Sequence, residues 1–389
     1  MTKTWIMTLG AAGAFALAAV QAQTPAAQTG ARTSTLTPDP KASAFAKPAA
    51  DNDTLTAVEG LKVGHFTLTE RPTGCTVILA KDGTTGSVSQ RGGAPGTRET
   101  NLLDPVNNVQ IVNAIVLSGG SAFGLDAASG TMKWLDEHNI GYPVGAAGVV
   151  PIVPSAILFD LGFGGNPKVR PGADCGYKAA EAASEKAVQM GNFGAGAGST
   201  VGKSGGGGRA GGGGGPMKAG LGSYAIKMPN GLVVAAIVAV NAVGDIIDPT
   251  NGQVVAGVRG PDNKLLDARK LLVAGSNREG RAGENTTIGL VATNAKLTKV
   301  QAQKMAMMAD DGYARAINPS HTPGDGDTIF SLATGTWDGA ANYSQIGSLA
   351  AEAMAEAVVR AAVYATQSAG TPSARDIGSI PARYKNVIK

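Results

Sequence analysis

An α/β fold with its strands covered on both faces is what three features of this chain predict. Short β-branched runs alternate with Ala-rich stretches of helical period. The strand-like runs around 111–117 and 233–243 are apolar throughout, without the polar alternation of a half-exposed strand. Glycine, with 56 of 389 residues, runs at about twice its usual share of roughly 7%, which suits tight turns and close backbone packing. The glycines follow no three-residue period, so a collagen-like chain is excluded. A hydrophobic content of 43% supplies a large core, and nothing between residues 60 and 370 has the Pro/Ser-rich composition of a linker.

Taken in order, Val109–Leu117 and Gly231–Val243 are expected as strands. Ala122–Glu137, Tyr177–Met190, Thr298–Ala316 and Ser348–Ala365 are expected as helices. Ser121, Thr298 and Ser348 stand where N-caps belong, because a hydroxyl there accepts from an otherwise orphaned backbone N–H. Residues 1–22 read as an export signal: Lys3, an apolar stretch from Trp5 to Val20, then the small-x-small site Val20-Gln21-Ala22. That stretch is shorter than the roughly 20 residues a membrane span needs. Residues 23–53, rich in Ala, Pro, Thr, Ser and Gln, lack the large apolar groups that would repay folding and are expected to form a disordered tether.

The net charge of +4 carries no basic block interleaved with aromatics, so nucleic acid is not an expected partner. Three histidines, His65, His138 and His321, lack metal-ligand spacing, and neither a metal nor a cofactor is expected. The two cysteines, Cys75 and Cys175, are expected as buried free thiols, although an oxidising compartment would permit a pair. Ala197–Ser204 fits a relaxed phosphate-loop pattern, but a helix must follow such a loop. Here a glycine stretch follows, each Gly costing a helix about 1 kcal/mol, so a flexible surface loop is expected. Gly119-Gly120-Ser121-Ala122-Phe123 likewise misses the last glycine of a nucleophile elbow.

The segment with the most chemistry in it is Gly283-Glu284-Asn285-Thr286-Thr287-Ile288-Gly289, answered by Asp325-Gly326-Asp327. A hydroxyl residue directly after Asn opens a β-branched run. If Asn285–Thr286 is cut, Thr286 gains an α-amine beside its hydroxyl, and an amine with a pKa of about 7.7–8.0 can activate that oxygen. Asp325 and Asp327, two apart on an extended segment, would share a face and could orient such a nucleophile.

Together with Leu297–Ala306, His321-Thr322-Pro323-Gly324-Asp325-Gly326-Asp327-Thr328, Val63-Gly64-His65-Phe66, Arg91–Thr100, Leu117–Asp126, Val150–Pro154 and Val238–Asp245, this segment resembles the P1 (DmpA-like) family of self-processing N-terminal-nucleophile peptidases. Coverage runs from about residue 54 to about 368. The likeness is greatest to the nylon-oligomer (6-aminohexanoate-oligomer) endohydrolases, which have Thr as nucleophile and two Asp in the D-x-D element. The resemblance implies a four-layer αββα sandwich and a hydrolase domain over 54–389, self-cleaved into 54–285 and 286–389. It implies an acyl-enzyme on Thr286, with Asp325 and Asp327 as its acidic partners, Asn241 as oxyanion donor and Lys203 beside the nucleophile. Phe159 matches a substrate-pocket position that holds Tyr in that branch, so one hydroxyl is missing here. The implied activity is hydrolysis of small linear amides or peptides by an exported, periplasmic or secreted homo-oligomer, with four processed protomers expected. Two alternatives stay open within related folds: a β-peptidyl or D-amino-acid aminopeptidase, and an acyl transferase of the ornithine-acetyltransferase kind.

Overall fold

The computed structural model describes residues 1–2, 37–204, 214–276 and 284–388. The expected signal peptide, the first part of the tether (residues 23–36) and the glycine-rich loop at 205–213 lie almost wholly outside these. Ten strands build two central sheets: β1 (Leu61–Thr67), β2 (Gly74–Ala80), β3 (Thr85–Gln90), β4 (Thr97–Arg98), β5 (Ala114–Ser118), β6 (Ser155–Ile157), β7 (Leu221–Lys227), β8 (Val233–Asn241), β9 (Thr286–Thr293) and β10 (Thr328–Ala333). The first sheet has the order β1-β2-β5-β6-β4 and the second β7-β8-β9-β10-β3. Helices α1 (Ala127–Glu137) and α2 (Ala173–Glu181) cover the first sheet, and α3 (Lys299–Ala316) and α4 (Tyr343–Val363) the second.

The expected double burial of the strands is realised residue by residue along β8. Ala235, Ile237 and Ala239 face the other sheet, meeting Ile78, Ile115 and Leu117 across the central layer. Val234, Ala236, Val238 and Val240 face α3 and α4, against Ala309, Met354 and Ala357. The other outer layer sets Val77 and Val116 against Ala127 and Ala179. Two layers of helices and two sheets therefore enclose three apolar layers, the αββα arrangement. Small residues let these layers approach. A Cβ on Gly130 of α1 would stand 1.7 Å from the Ala173 carbonyl oxygen, and one on Gly176 of α2 would stand 1.7 Å from that of Ala127.

Several boundaries differ from expectation for local reasons. The strand expected from Val109 begins at Ala114, because the buried ammonium of Lys299 gathers the carbonyls of Leu102, Asn107 and Val109 and holds the chain in a loop. Ser121 does not cap a helix: it has φ +55 and opens a 3-10 segment, Ser121–Asp126, before α1. The second helix starts at Ala173 and ends at Glu181, because Ser184 turns back to pair with Val63. Thr298 caps α3 in a full capping box with Gln301. The cap of α4 is Asn342, and Ser348 lies inside that helix, donating to the Ser344 carbonyl. Residues 37–53, the end of the segment read as a tether, lie against the domain. A helical turn at Pro40–Ser43 precedes an ion pair of Asp53 with Arg360 at 2.8 Å.

The two cysteines correct the expectation of free thiols, since Cys75 and Cys175 form a disulfide. Cys75 lies on the helix-facing side of β2 and Cys175 on α2, which packs on that side, so both are buried and adjacent. The bond closes 100 residues of sequence. We expect denatured, unreduced protein to titrate no thiol, and Cys175→Ser to lose about 2–5 kcal/mol of stability in urea unfolding. Two titratable thiols in the unreduced protein would contradict it.

Candidate active site

The site follows from how β9 is paired. It lies in the middle of the second sheet, antiparallel to β8, with Asn241 opposite Thr286, and parallel to β10, with Ile288 opposite Thr328. The antiparallel neighbour sets the last residue of β8 beside the first of β9. The parallel neighbour brings the residues just before β10 beside those just before β9, and Asn285 and Asp325 form a parallel bridge there. Thr286, Asn241, Asp325 and Asp327, far apart in sequence, therefore meet at one sheet end. All four are buried.

The Thr286 hydroxyl donates to the Asn285 carbonyl oxygen at 2.5 Å, and the Gly326 N–H donates to the same oxygen at 2.9 Å. Gly326 has to be glycine, because a Cβ there would lie 2.9 Å from the Thr286 Oγ1 and 2.8 Å from the Ala94 carbonyl oxygen. Asp327 is fully engaged: Oδ1 accepts from the Thr287 N–H at 2.7 Å and Oδ2 from the His321 N–H at 2.9 Å. Asp325 is not. Its Oδ2 accepts from the Thr322 N–H at 2.8 Å, whereas Oδ1 is buried without a partner among the described residues. Burial first, and then the charge of Asp327, push the Asp325 carboxyl up to about 6, against the pull of Thr322 and Lys203.

Lys203 and Asn241 form the other wall. The Lys203 ammonium donates to the Asn241 side-chain oxygen at 2.8 Å, to the Asn241 backbone carbonyl at 2.9 Å and to the Glu284 carbonyl at 3.5 Å, using its three protons on three acceptors. Complete burial brings its pKa down to about 7, even with Asp325, Glu284 and Asp160 pulling the other way. The Asn241 amide takes a third contact from the Thr200 N–H at 3.1 Å and donates one N–H to the Phe159 carbonyl at 2.8 Å, leaving its second N–H uncommitted. Phe159 thus touches the site through its backbone. Its carbonyl is fixed by the next residue, Asp160, which is locked in a buried ion pair with Arg71 at 2.9 Å and accepts from the Thr73 hydroxyl and the Gly120 N–H. No helix follows Thr200-Val201, so the phosphate-loop pattern has no helix N-terminus within the described residues. Among those residues no group of three His, Cys, Asp or Glu is arranged to hold a metal ion.

Three residues at the site were missed from sequence. His321 stands 3.0 Å from Asp327 through Nδ1, and Asp310 and the fully buried Tyr313 approach from α3. Burial raises the pKa of both Asp310 and Tyr313. His321 had a signal, its place in the same short motif as the two aspartates. Asp310 and Tyr313 had none beyond the helical period that puts them on one face.

The arrangement sets a hydroxyl and a backbone N–H on a single carbonyl, at a buried sheet end that also holds a side-chain amide and two carboxylates. The family model of peptidase family S58 matches residues 53–375. The chain belongs to that family. It is 39% identical over 355 residues to an uncharacterised aminopeptidase of Mycobacterium leprae, covering 84% of this chain and 94% of the other. It is 30% identical over 320 residues to the 6-aminohexanoate-oligomer endohydrolase of a Kocuria species, covering 78% and 84%. Among solved structures, a β-aminopeptidase of a Burkholderia species superposes with TM-score 0.63 at 18% identity, over 91% of this chain and 99% of that one. The L-aminopeptidase D-Ala-esterase/amidase of Ochrobactrum anthropi does so with TM-score 0.63 at 18% identity, over 90% and 99%. This S58 member therefore has the N-terminal-nucleophile hydrolase fold and is a hydrolase of the peptidase and amidase kind.

The lowered Lys203 has a consequence for stability. Between about 7, its folded value, and the ordinary 10.5, the unfolded chain holds more protons than the folded one, so stability rises with pH across that window. In a Thr286→Ala background, adding Lys203→Met should flatten the rise in Tm between pH 7 and 10. Parallel Tm profiles of the two proteins would show that Lys203 is charged throughout.

Proposed function

We propose that this chain cuts itself between Asn285 and Thr286 and then hydrolyses linear amides with the exposed Thr286 as nucleophile. One observation carries the reading: the Thr286 hydroxyl rests on the carbonyl of its own preceding peptide bond, at the buried start of a central strand, between an amide donor and two carboxylates. In the first step Oγ1 adds to the Asn285 carbonyl carbon, and the hydroxyl proton passes to the departing Thr286 nitrogen. The C–N bond breaks and an ester to Thr286 remains, which water hydrolyses to a carboxylate on Asn285 and a free hydroxyl. Lys203, with its pKa near 7 and its contact to the Glu284 carbonyl, can accept and return that proton.

The new α-amine then does the base's work. It takes the Thr286 proton as Oγ1 attacks a substrate carbonyl, gives it to the leaving amine, and an acyl ester forms that water cleaves. The unpartnered Asp325 Oδ1 would receive the ammonium of Thr286, and the uncommitted N–H of Asn241 the oxyanion, a kind of contact often worth about 2.7–4 kcal/mol of barrier. Asp327 keeps the strand start in place through the Thr287 amide.

For substrate, linear amides with ω- or β-amino spacing are the first choice, supported by the 6-aminohexanoate-oligomer endohydrolase relatives. Small N-terminal peptides are the second, supported by the aminopeptidase relatives. Export through the signal at 1–22 fits the Cys75–Cys175 disulfide, which an oxidising compartment would preserve. Assembly of four processed protomers belongs to the same proposal.

Intact mass of the purified protein tests the reading. Two non-covalently joined fragments should appear, the smaller beginning Thr-Thr-Ile-Gly and ending at Lys389. Thr286→Ala should stay whole and inactive. An active, uncut wild-type chain would end the proposal. In cleaved protein, Asp325→Asn and Asp327→Asn should each lower kcat/KM by orders of magnitude, and the double variant by much less than their product. Near-normal turnover of either variant would reduce that residue to a turn former.

A further inference from the structure

We infer that His321 is a positioning residue for the nucleophile: its imidazole is the countercharge of Asp327, and Asp327 in turn fixes the start of β9 that carries Thr286. The inference rests on the reading of Thr286 as nucleophile, and goes beyond it by placing a cation behind the carboxylate pair.

The geometry is a chain of contacts. Asp327 Oδ1 holds the Thr287 N–H, one residue from the nucleophile, at 2.7 Å. Its Oδ2 is met twice by one residue, by the His321 backbone N–H at 2.9 Å and by the His321 Nδ1 at 3.0 Å. The ring contact is an ion pair and not an aligned hydrogen bond, and neither ring nitrogen has a hydrogen-bond partner among the described residues. The backbone of His321 lies at φ +56. A left-handed conformation at a non-glycine residue costs on the order of 1–3 kcal/mol, and here it directs both the N–H and the ring of His321 at a single oxygen.

The charges around the ring call for a cation there. Asp327 faces it from the turn before β10, and Asp310 and Tyr313 face it from α3, the Tyr313 ring centroid at 5.9 Å. Beyond Asp327 lie Asp325 and then Lys203. Arg91, after β3, pairs with Asp310 at 3.3 Å but leaves its own side chain 49% exposed. Three buried carboxylates, Asp310, Asp325 and Asp327, thus converge where Lys203 is half-neutral near pH 7 and Arg91 sits at the rim. Burial works against a charged His321, but Asp327 and Asp310 outweigh it and its pKa is raised. Below that pKa the imidazolium is present. Above it the carboxylate pair loses its nearest inner countercharge.

The test compares pH profiles of kcat/KM in fully cleaved wild type, His321→Gln and His321→Arg. His321→Gln should lower kcat roughly ten-fold or more, as small displacements of a reacting group do, with KM little changed. It should also move the acid limb to higher pH, because a carboxylate pair without its cation protonates more readily. His321→Arg, which keeps the charge at every pH, should return the acid limb toward wild type. Superimposable profiles, or a lowered Tm with unchanged kcat, would overturn the inference. If His321→Gln accumulates uncut, the rate of self-cleavage of refolded precursor against pH takes the place of kcat, with the same shift expected. Should the variants not fold, nuclear magnetic resonance of wild type labelled with ¹⁵N-histidine decides: one imidazole should titrate above 6.5, and titration of all three at or below that value would overturn it. An uncut, inactive wild type would remove the proposed function and this inference together, whereas a cleaving, active wild type with an indifferent His321 would remove the inference alone.

Discussion

The register of one strand is the constraint on which the rest of this molecule depends. Because β9 is antiparallel to β8 and parallel to β10, its first residue is the only point where the end of β8 and the approach to β10 can both lie beside it. A one-residue slip would turn every side chain of β9 to the opposite layer. Both layers are apolar and tightly packed, so the register is held by the whole core, and the site inherits its precision from there. This also explains how the chain tolerates a cluster of buried polar groups at that end. The costs of burying Lys203 and Asp327 are met by hydrogen bonds around the start of β9.

Membership of peptidase family S58 and the geometry of the site bear on different questions. The family match covers residues 53–375 and settles the class of chemistry. The solved structures, at 18% identity, speak for the fold alone. The geometry shows how Asp325 and Asp327 are each partnered. Asp325 has one buried oxygen without a partner among the described residues, while Asp327 is saturated by Thr287 and His321. Two carboxylates of the same short motif are therefore held differently, Asp327 tying the start of β9 to the turn before β10 and Asp325 bonding within that turn alone.

Outside the second sheet, the same economy of small residues and buried charges recurs. Arg71 and Asp160 are both buried and paired, and through Asp160 the pair fixes the Phe159 carbonyl on which the Asn241 amide rests. Lys218, wholly buried with its pKa brought down to about 7, ties the carbonyls of Gly196, Ser199 and Ala219, holding the turn that offers the Thr200 N–H to Asn241. Buried ions of this kind are costly unless fully paired. Arg71 and Asp160 pair with each other, the Lys218 ammonium is held by three carbonyls, and both arrangements lead to the same side-chain amide.

The sequence by itself determined that the strands are covered on both faces, because they are apolar throughout, whereas the four-layer order was implied by the family resemblance. It also singled out Asp325-Gly326-Asp327 and Asn285-Thr286 as candidates, since these are local patterns, and the structure brings them together at one sheet end. Thr298 as a cap was legible for the same reason, its partner Gln301 lying three residues away. The tertiary structure alone decided whatever depends on distant neighbours. Ser121 and Ser348 had suitable local sequence but lost their capping roles to the positive φ at Ser121 and to Asn342. Cys75 and Cys175 pair because α2 lies across β2, a fact no spacing encodes. Asp310 and Tyr313 come to the sheet end that holds Thr286 only when α3 packs on the second sheet, for a helix face announces that it is buried but not what it is buried against.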